Sequence, residues 1–160
     1  KIDENLWKKA KKVLGKKSTK LLDTKDQLDM ITPENVAVTF FFDDYKPLFN
    51  PVRHEIINLM NLKDIAANKA YIMGRRPKWR DYVDLYFLLK ENYINLEELI
   101  KLSKRKFDTD FSEKLFLQQL VYWKDITDYG IEFIKKGVSQ EEIKGFLEEE
   151  VKKFKRKALG

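Results

Sequence analysis

The run Val36-Ala37-Val38-Thr39-Phe40-Phe41-Phe42 most restricts what this 160-residue chain can fold into. It is dense in β-branched and aromatic residues and bounded by Pro33-Glu34-Asn35 and Asp43-Asp44, which reads as a β-strand. Being apolar on both faces, it calls for sheet neighbours and for cover on each side. Neighbours are scarce. Residues 18–23 (STKLLD) form a second, weaker strand candidate, and residues 24–31 (TKDQLDMI) read as a helical turn or short helix. One strong and one weak strand do not make an independent sheet. Part of the sheet is therefore expected upstream, in keeping with a sequence that opens on Lys1 rather than Met.

Around the strand the pattern is helical. Leu6, Trp7, Ala10, Val13 and Leu14 recur at helical spacing, with Lys on the other faces. DDYKPLFNPV, with two prolines, is an extended loop. From about residue 58 onward every segment reads as helix. Asn61 caps residues 62–73, and Trp79, Tyr82, Val83, Tyr86 and Phe87 form the wide apolar stripe of a helix buried on most sides. Asn95 with Glu98, Asp110 with Glu113, and Ser139 with Glu142 have capping-box spacing, predicting helices at about 96–106, 111–124 and 140–157. The fold class is mixed α+β: a partial sheet of one or two strands, then a C-terminal helical bundle.

Composition removes several chemistries. There is no Cys, hence no disulfide, thiolate zinc site or cysteine nucleophile, which suits a reducing, cytoplasmic setting. No apolar run approaches the roughly 20 residues of a membrane helix, and the first 20 residues lack the apolar stretch of a signal peptide. GxGxxG, P-loop and GxSxG patterns are absent, and His54 is the single histidine. The net charge of +6 is local: residues 1–20 hold eight Lys against Asp3 and Glu4, and the other 140 residues carry 24 basic and 24 acidic groups. Lys8, Lys9, Lys11, Lys12, Lys16 and Lys17 are thus candidates for polyanion binding, set against the plainer reading of a solvated amphipathic helix.

Residues 61–89 carry the most chemistry. Two apolar helical segments are joined by Gly74-Arg75-Arg76-Pro77-Lys78, three cations in five residues. Lys69 sits among Ala66, Ala67 and Ala70, where close helix packing would bury part of it. A buried Lys needs a partner, and Asp81 and Asp84, one turn apart on the next helix, are available to it. Arg80 and Asp84 are also at pairing distance in sequence. Two readings stand together: a buried ion pair locking a helical hairpin, or Lys69, Arg76 and Arg80 binding phosphates with Asp81 or Asp84 orienting them.

The segment NLKDIAANKAYIMGRRPKWRDYVDLYFLL resembles the C-terminal signature of the AbiEii/AbiGii-type nucleotidyltransferases, a toxin family within the DNA polymerase β-like (minimal nucleotidyltransferase) superfamily. Leu62, Asp64, Ile65, Ala66, Ala67, Lys69, Arg76, Arg80, Asp81, Asp84, Leu85, Tyr86 and Leu88 match in register, and Asn61 replaces the usual Ser. The resemblance extends over about 20–157. It implies transfer of a nucleoside monophosphate from an NTP, with Mg²⁺, to an RNA or protein acceptor by a toxin with a cognate antitoxin. It also implies that Lys69, Arg76 and Arg80 meet the nucleotide, that Asp81 and Asp84 are catalytic, and that residues 1–57 are the remainder of the nucleotidyltransferase core, followed by a helical region at 58–160. The family's Gly-Ser element and alternating Asp-x-Asp pair do not occur here on a strand. Asp43-Asp44 is adjacent, and Asp108-Thr109-Asp110 falls in a helix-capping turn. The chain by itself is therefore expected to be inactive. The alternative implied by the same letters is a non-catalytic RNA- or protein-binding module of this fold.

Overall fold

The computed structural model describes residues 1–134 and 137–159. It divides into two compact units, residues 1–44 and 45–160.

The first unit opens with helix α1 (Leu6–Leu14) and continues as an antiparallel meander of β1 (Thr19–Asp23), β2 (Gln27–Ile31) and β3 (Ala37–Phe41), in the spatial order β1-β2-β3. Residues 24–31, read from sequence as helical, instead supply the central strand. Thr24 Oγ1 accepts from the Asp26 and Gln27 amides and closes the β1–β2 turn (3.4 and 3.0 Å). Beyond it, Leu28 and Met30 alternate inward, both completely buried. This period of two was hidden by Gln27 and Asp29, which lie on the other face. β3 is where the sequence places it, but it has one neighbour, pairing Leu28 with Phe40 and Met30 with Val38. Nor is it covered on both sides: Phe41 is 65% exposed, and β1 is exposed along its length. The needed neighbour was present, disguised by polar letters. Gly15 ends α1 at φ +120°, and a Cβ there would stand 2.7 Å from Pro33 Cγ, so both conformation and space require glycine.

The second unit begins with the proline loop and a short hairpin, β4 (Val52–Arg53) with β5 (Asn58–Leu59), so helix does not take over at residue 58. It then comprises α2 (Leu62–Met73), α3 (Trp79–Lys90), α4 (Leu96–Phe107), a 3₁₀ turn at Asp108–Asp110, α5 (Glu113–Gln119) and α6 (Gln140–Leu159). The caps are local and fall largely as expected. Asn61 Oδ1 accepts from the Lys63 amide, Asn95 Oδ1 from Glu98, and Ser139 Oγ from Glu142 (2.9, 2.8 and 3.1 Å). The exception is α5. Ser112, not Asp110, accepts from the Leu115 amide, and the helix stops at Gln119 rather than near 124. Leu120 is fully buried, and Trp123 turns instead into an aromatic cluster with Trp79 and Tyr82. Tertiary packing overrides the helical pattern, and the chain from 120 to 134 is irregular. Tyr82, Met73, Leu85, Leu99, Phe116, Ile143 and Leu147 are fully buried at the centre of this unit. The mixed α+β class holds.

Candidate functional site

Helices α2 and α3 pack against each other across the Gly74–Lys78 corner. The small side chains Ala66, Ala67 and Ala70, all completely buried, let the backbones approach. This brings the Lys69 ammonium between two carboxylates, 2.7 Å from Asp81 Oδ1 and 2.6 Å from Asp84 Oδ2. Asp81 is buried near the start of α3 and also accepts from the Lys78 amide at 3.3 Å, so it satisfies an otherwise unpartnered donor of the helix N-terminus. The Asp84 side chain is 47% exposed and forms the outer edge of the trio. Burial disfavours the Lys69 ammonium, but the hydrogen bonds to Asp81 and Asp84 outweigh it and hold the group above its ordinary value. Lys69 stays charged between the two aspartates.

The remaining cations stand apart from this trio. Asp84 pairs with Lys69, and no Arg80–Asp84 bridge forms among the described residues. Arg76 and Arg80 are exposed. Arg75 lies 3.7 Å from the Tyr71 ring centre and donates to the Asp110 carbonyl at 3.1 Å. Arg80 and Lys78 line a cleft of about 370 Å³ between the start of α3 and the irregular segment, opposite Asp125, Thr127 and Asp128. Trp79 and Ile126, both buried, also line it.

A second ionic centre was not legible as such. Lys106 on α4 and Asp64 on α2 form a pair at 2.9 Å with both side chains completely buried. The Asp64 carboxylate also accepts from the Leu48 and Phe49 amides (2.8 and 3.0 Å), pinning the proline loop. Burial opposes ionisation of Asp64. The Leu48 amide, the Lys106 ammonium and the Phe49 amide together prevail and hold it below the usual carboxylate range. One signal was available: Leu99, Leu102, Ser103, Lys106 and Phe107 fall at helical spacing, placing a Lys on a buried stripe.

In the first unit Lys8, Lys12, Lys16 and Lys17 are exposed. Lys9 pairs with Asp3, and Lys11 lies 5.4 Å from the Trp7 ring centre. Asp43 and Asp44 follow β3 as exposed residues outside the strand. Asp108-Thr109-Asp110 forms the 3₁₀ turn, where Asp110 accepts from Tyr45 Oη. No group of three acidic, His or Cys side chains among the described residues is arranged to hold a metal ion, and the ammonium of Lys69 already occupies the space between Asp81 and Asp84. Mg²⁺ does not fit these residues alone.

The ionic centre lies between α2 and α3, in the segment that carries the motif read from sequence. A family model described as nucleotidyl transferase AbiEii toxin, type IV TA system, matches residues 27–159. The chain belongs to the AbiEii nucleotidyltransferase toxin family. An uncharacterized protein of Aquifex aeolicus (strain VF5) is 31% identical over 137 residues, which are 84% of this chain and 64% of that protein. The chain thus spans less than two thirds of that relative's length. No solved structure matches. No helix among the described residues is long and apolar enough to cross a membrane.

Proposed function

We propose that this chain is the helical, nucleotide-facing part of a toxin that transfers a nucleoside monophosphate from an NTP to an RNA or protein acceptor, acts in the cytoplasm and is countered by an antitoxin. The observation that carries the reading is Lys69 held between Asp81 and Asp84, within the stretch that the family model matches. Asp81, the buried partner, anchors the ammonium. Asp84 is the exposed partner, and a phosphate oxygen arriving at Lys69 exchanges with it. Arg80 and Lys78, in the cleft at the start of α3, neutralise the rest of the polyphosphate, and the exposed Arg76 adds charge at the corner. The released Asp84 carboxylate then faces the reacting groups. Residues 1–57 are, in this reading, what remains of the nucleotidyltransferase core, and 58–160 its helical partner. The Gly-Ser and Asp-x-Asp elements, and with them Mg²⁺, come from outside these residues.

Calorimetric titration of the purified chain with each of the four NTPs tests this. The expected result is saturable binding of at least one NTP, weakened about tenfold by Lys69→Met and by Arg80→Ala, a loss of about 1.4 kcal/mol each, with circular dichroism unchanged. Absence of binding to all four, or variants that bind like the wild type, refutes the nucleotide reading. The exposed lysines of the first unit favour a second reading, a nucleic-acid-binding module without catalysis, in which RNA binds while nucleotides do not.

A further inference from the structure

Three aromatic rings surround the ammonium of Lys144 on α6: Tyr129 at 4.6 Å, Trp123 at 5.7 Å and Trp79 at 5.9 Å from Nζ to the ring centres. The rings are themselves assembled, Trp79 lying 5.0 Å from Tyr129 and 6.5 Å from Trp123. One turn further along α6, Glu148 Oε1 accepts from Trp123 Nε1 at 3.2 Å, and Tyr129 Oη donates to the Trp123 carbonyl at 3.4 Å. Lys144 takes part in no ion pair among the described residues. Its partners are ring faces, to which a cation is attracted by the ring quadrupole.

The location gives this cage a consequence. Trp79 lines the cleft, and Tyr129 lies between Asp128 and Gly130, which also line it. The wall from 123 to 130 has neither helix nor strand to fix it. Its anchors are the buried Ile126 and the partly buried rings of Trp123 and Tyr129. A segment with so few backbone bonds of its own takes its position from side-chain contacts.

We propose that Lys144 is a positioning residue that clasps the 123–130 wall to α6 and so sets the shape of the cleft for its anionic ligand; the ligand part rests on the nucleotide reading above. Glu148 holds the edge of Trp123 and Lys144 holds the ring faces, so one turn of α6 fixes the wall at two points. Replacing the cation by an apolar chain of similar length frees the wall without removing any group that touches the ligand.

The test compares Lys144→Met and Lys144→Arg in the full chain, reading limited proteolysis between residues 124 and 134 and the Kd of MgATP. For Lys144→Met the expected result is about tenfold faster cleavage in that segment and about fivefold weaker MgATP binding at an unchanged circular dichroism spectrum. Lys144→Arg, which keeps a cation among the rings, returns both to within about twofold of wild type. Unchanged cleavage in Lys144→Met, or Lys144→Arg behaving like Lys144→Met, overturns the clasp. If the wild type binds neither MgATP nor any of the other three NTPs, the nucleotide reading fails, and the cleavage rates still decide the role of Lys144. Faster cleavage with unaltered MgATP affinity overturns the coupling to the cleft.

Discussion

Replacing Lys106 by methionine keeps the length of a completely buried side chain and removes its charge. The Asp64 carboxylate, also completely buried, is left with the Leu48 and Phe49 amides at 2.8 and 3.0 Å and without the ammonium at 2.9 Å. Removing one partner of a buried pair costs about 3–5 kcal/mol, mostly because the other charge is stranded. Two amide donors remain, which places the expected loss at the lower end, about 3 kcal/mol. With a urea m-value of about 2 kcal/mol per molar, the unfolding midpoint falls by about 1.5 M. The pH dependence gives a second, independent check. In the wild type the Asp64 pKa is depressed below 3.8, so its contribution is present above about pH 4 and is lost as pH falls through the folded value. In Lys106→Met nothing offsets the burial of the carboxylate except the two amides, and protonation relieves the stranded charge. The deficit against wild type is therefore greatest at pH 7 and shrinks toward pH 4. A variant within about 1 kcal/mol of wild type at pH 7, or a deficit independent of pH, would refute the buried ion pair.

Gly15→Ala, which must hold φ +120° and place a Cβ against Pro33, is expected to destabilise the first unit by about 1–3 kcal/mol, seen as an earlier thermal transition. If Lys8, Lys12, Lys16 and Lys17 contact RNA phosphates, changing all four to Gln lowers the slope of log K against log salt by about 3, measured by fluorescence anisotropy of a labelled single strand. A slope unchanged by the four substitutions removes these lysines from the interface.

The α2–α3 hairpin was readable because everything that builds it is local. Asn61 caps its own helix, Gly74 and Pro77 break the chain, and the alanines beside Lys69 announce a close approach. The requirement that a buried Lys have a partner then led to Asp81 and Asp84, both of which pair with it. β2 was misread for the opposite reason. Its strand character rests on Leu28 and Met30 alone, and its stability on hydrogen bonds to the strands on either side, which its own five residues do not reveal. The end of α5 at Gln119 has a similar cause, since Trp123 leaves the helical path for rings some 40 residues earlier in the chain.

The amino-acid sequence by itself determined the α+β class, the capped helices of the second unit, the lysine-rich start and the Lys69–Asp81–Asp84 trio. The first three depend on periodicity, capping and composition written within a few residues, and the trio on a Lys among alanines facing two carboxylates of the very next helix. Tertiary structure alone decided that Lys106 neutralises Asp64, that the polar-looking residues 27–31 form a central strand, and that Lys144 is held by rings from two other segments. The ion pair and the cage join separate segments of the chain, and the strand exists only once its two hairpin neighbours pair with it. Burial sets their worth: only when water is excluded does an unpaired charge or backbone donor become costly enough to dictate its partner.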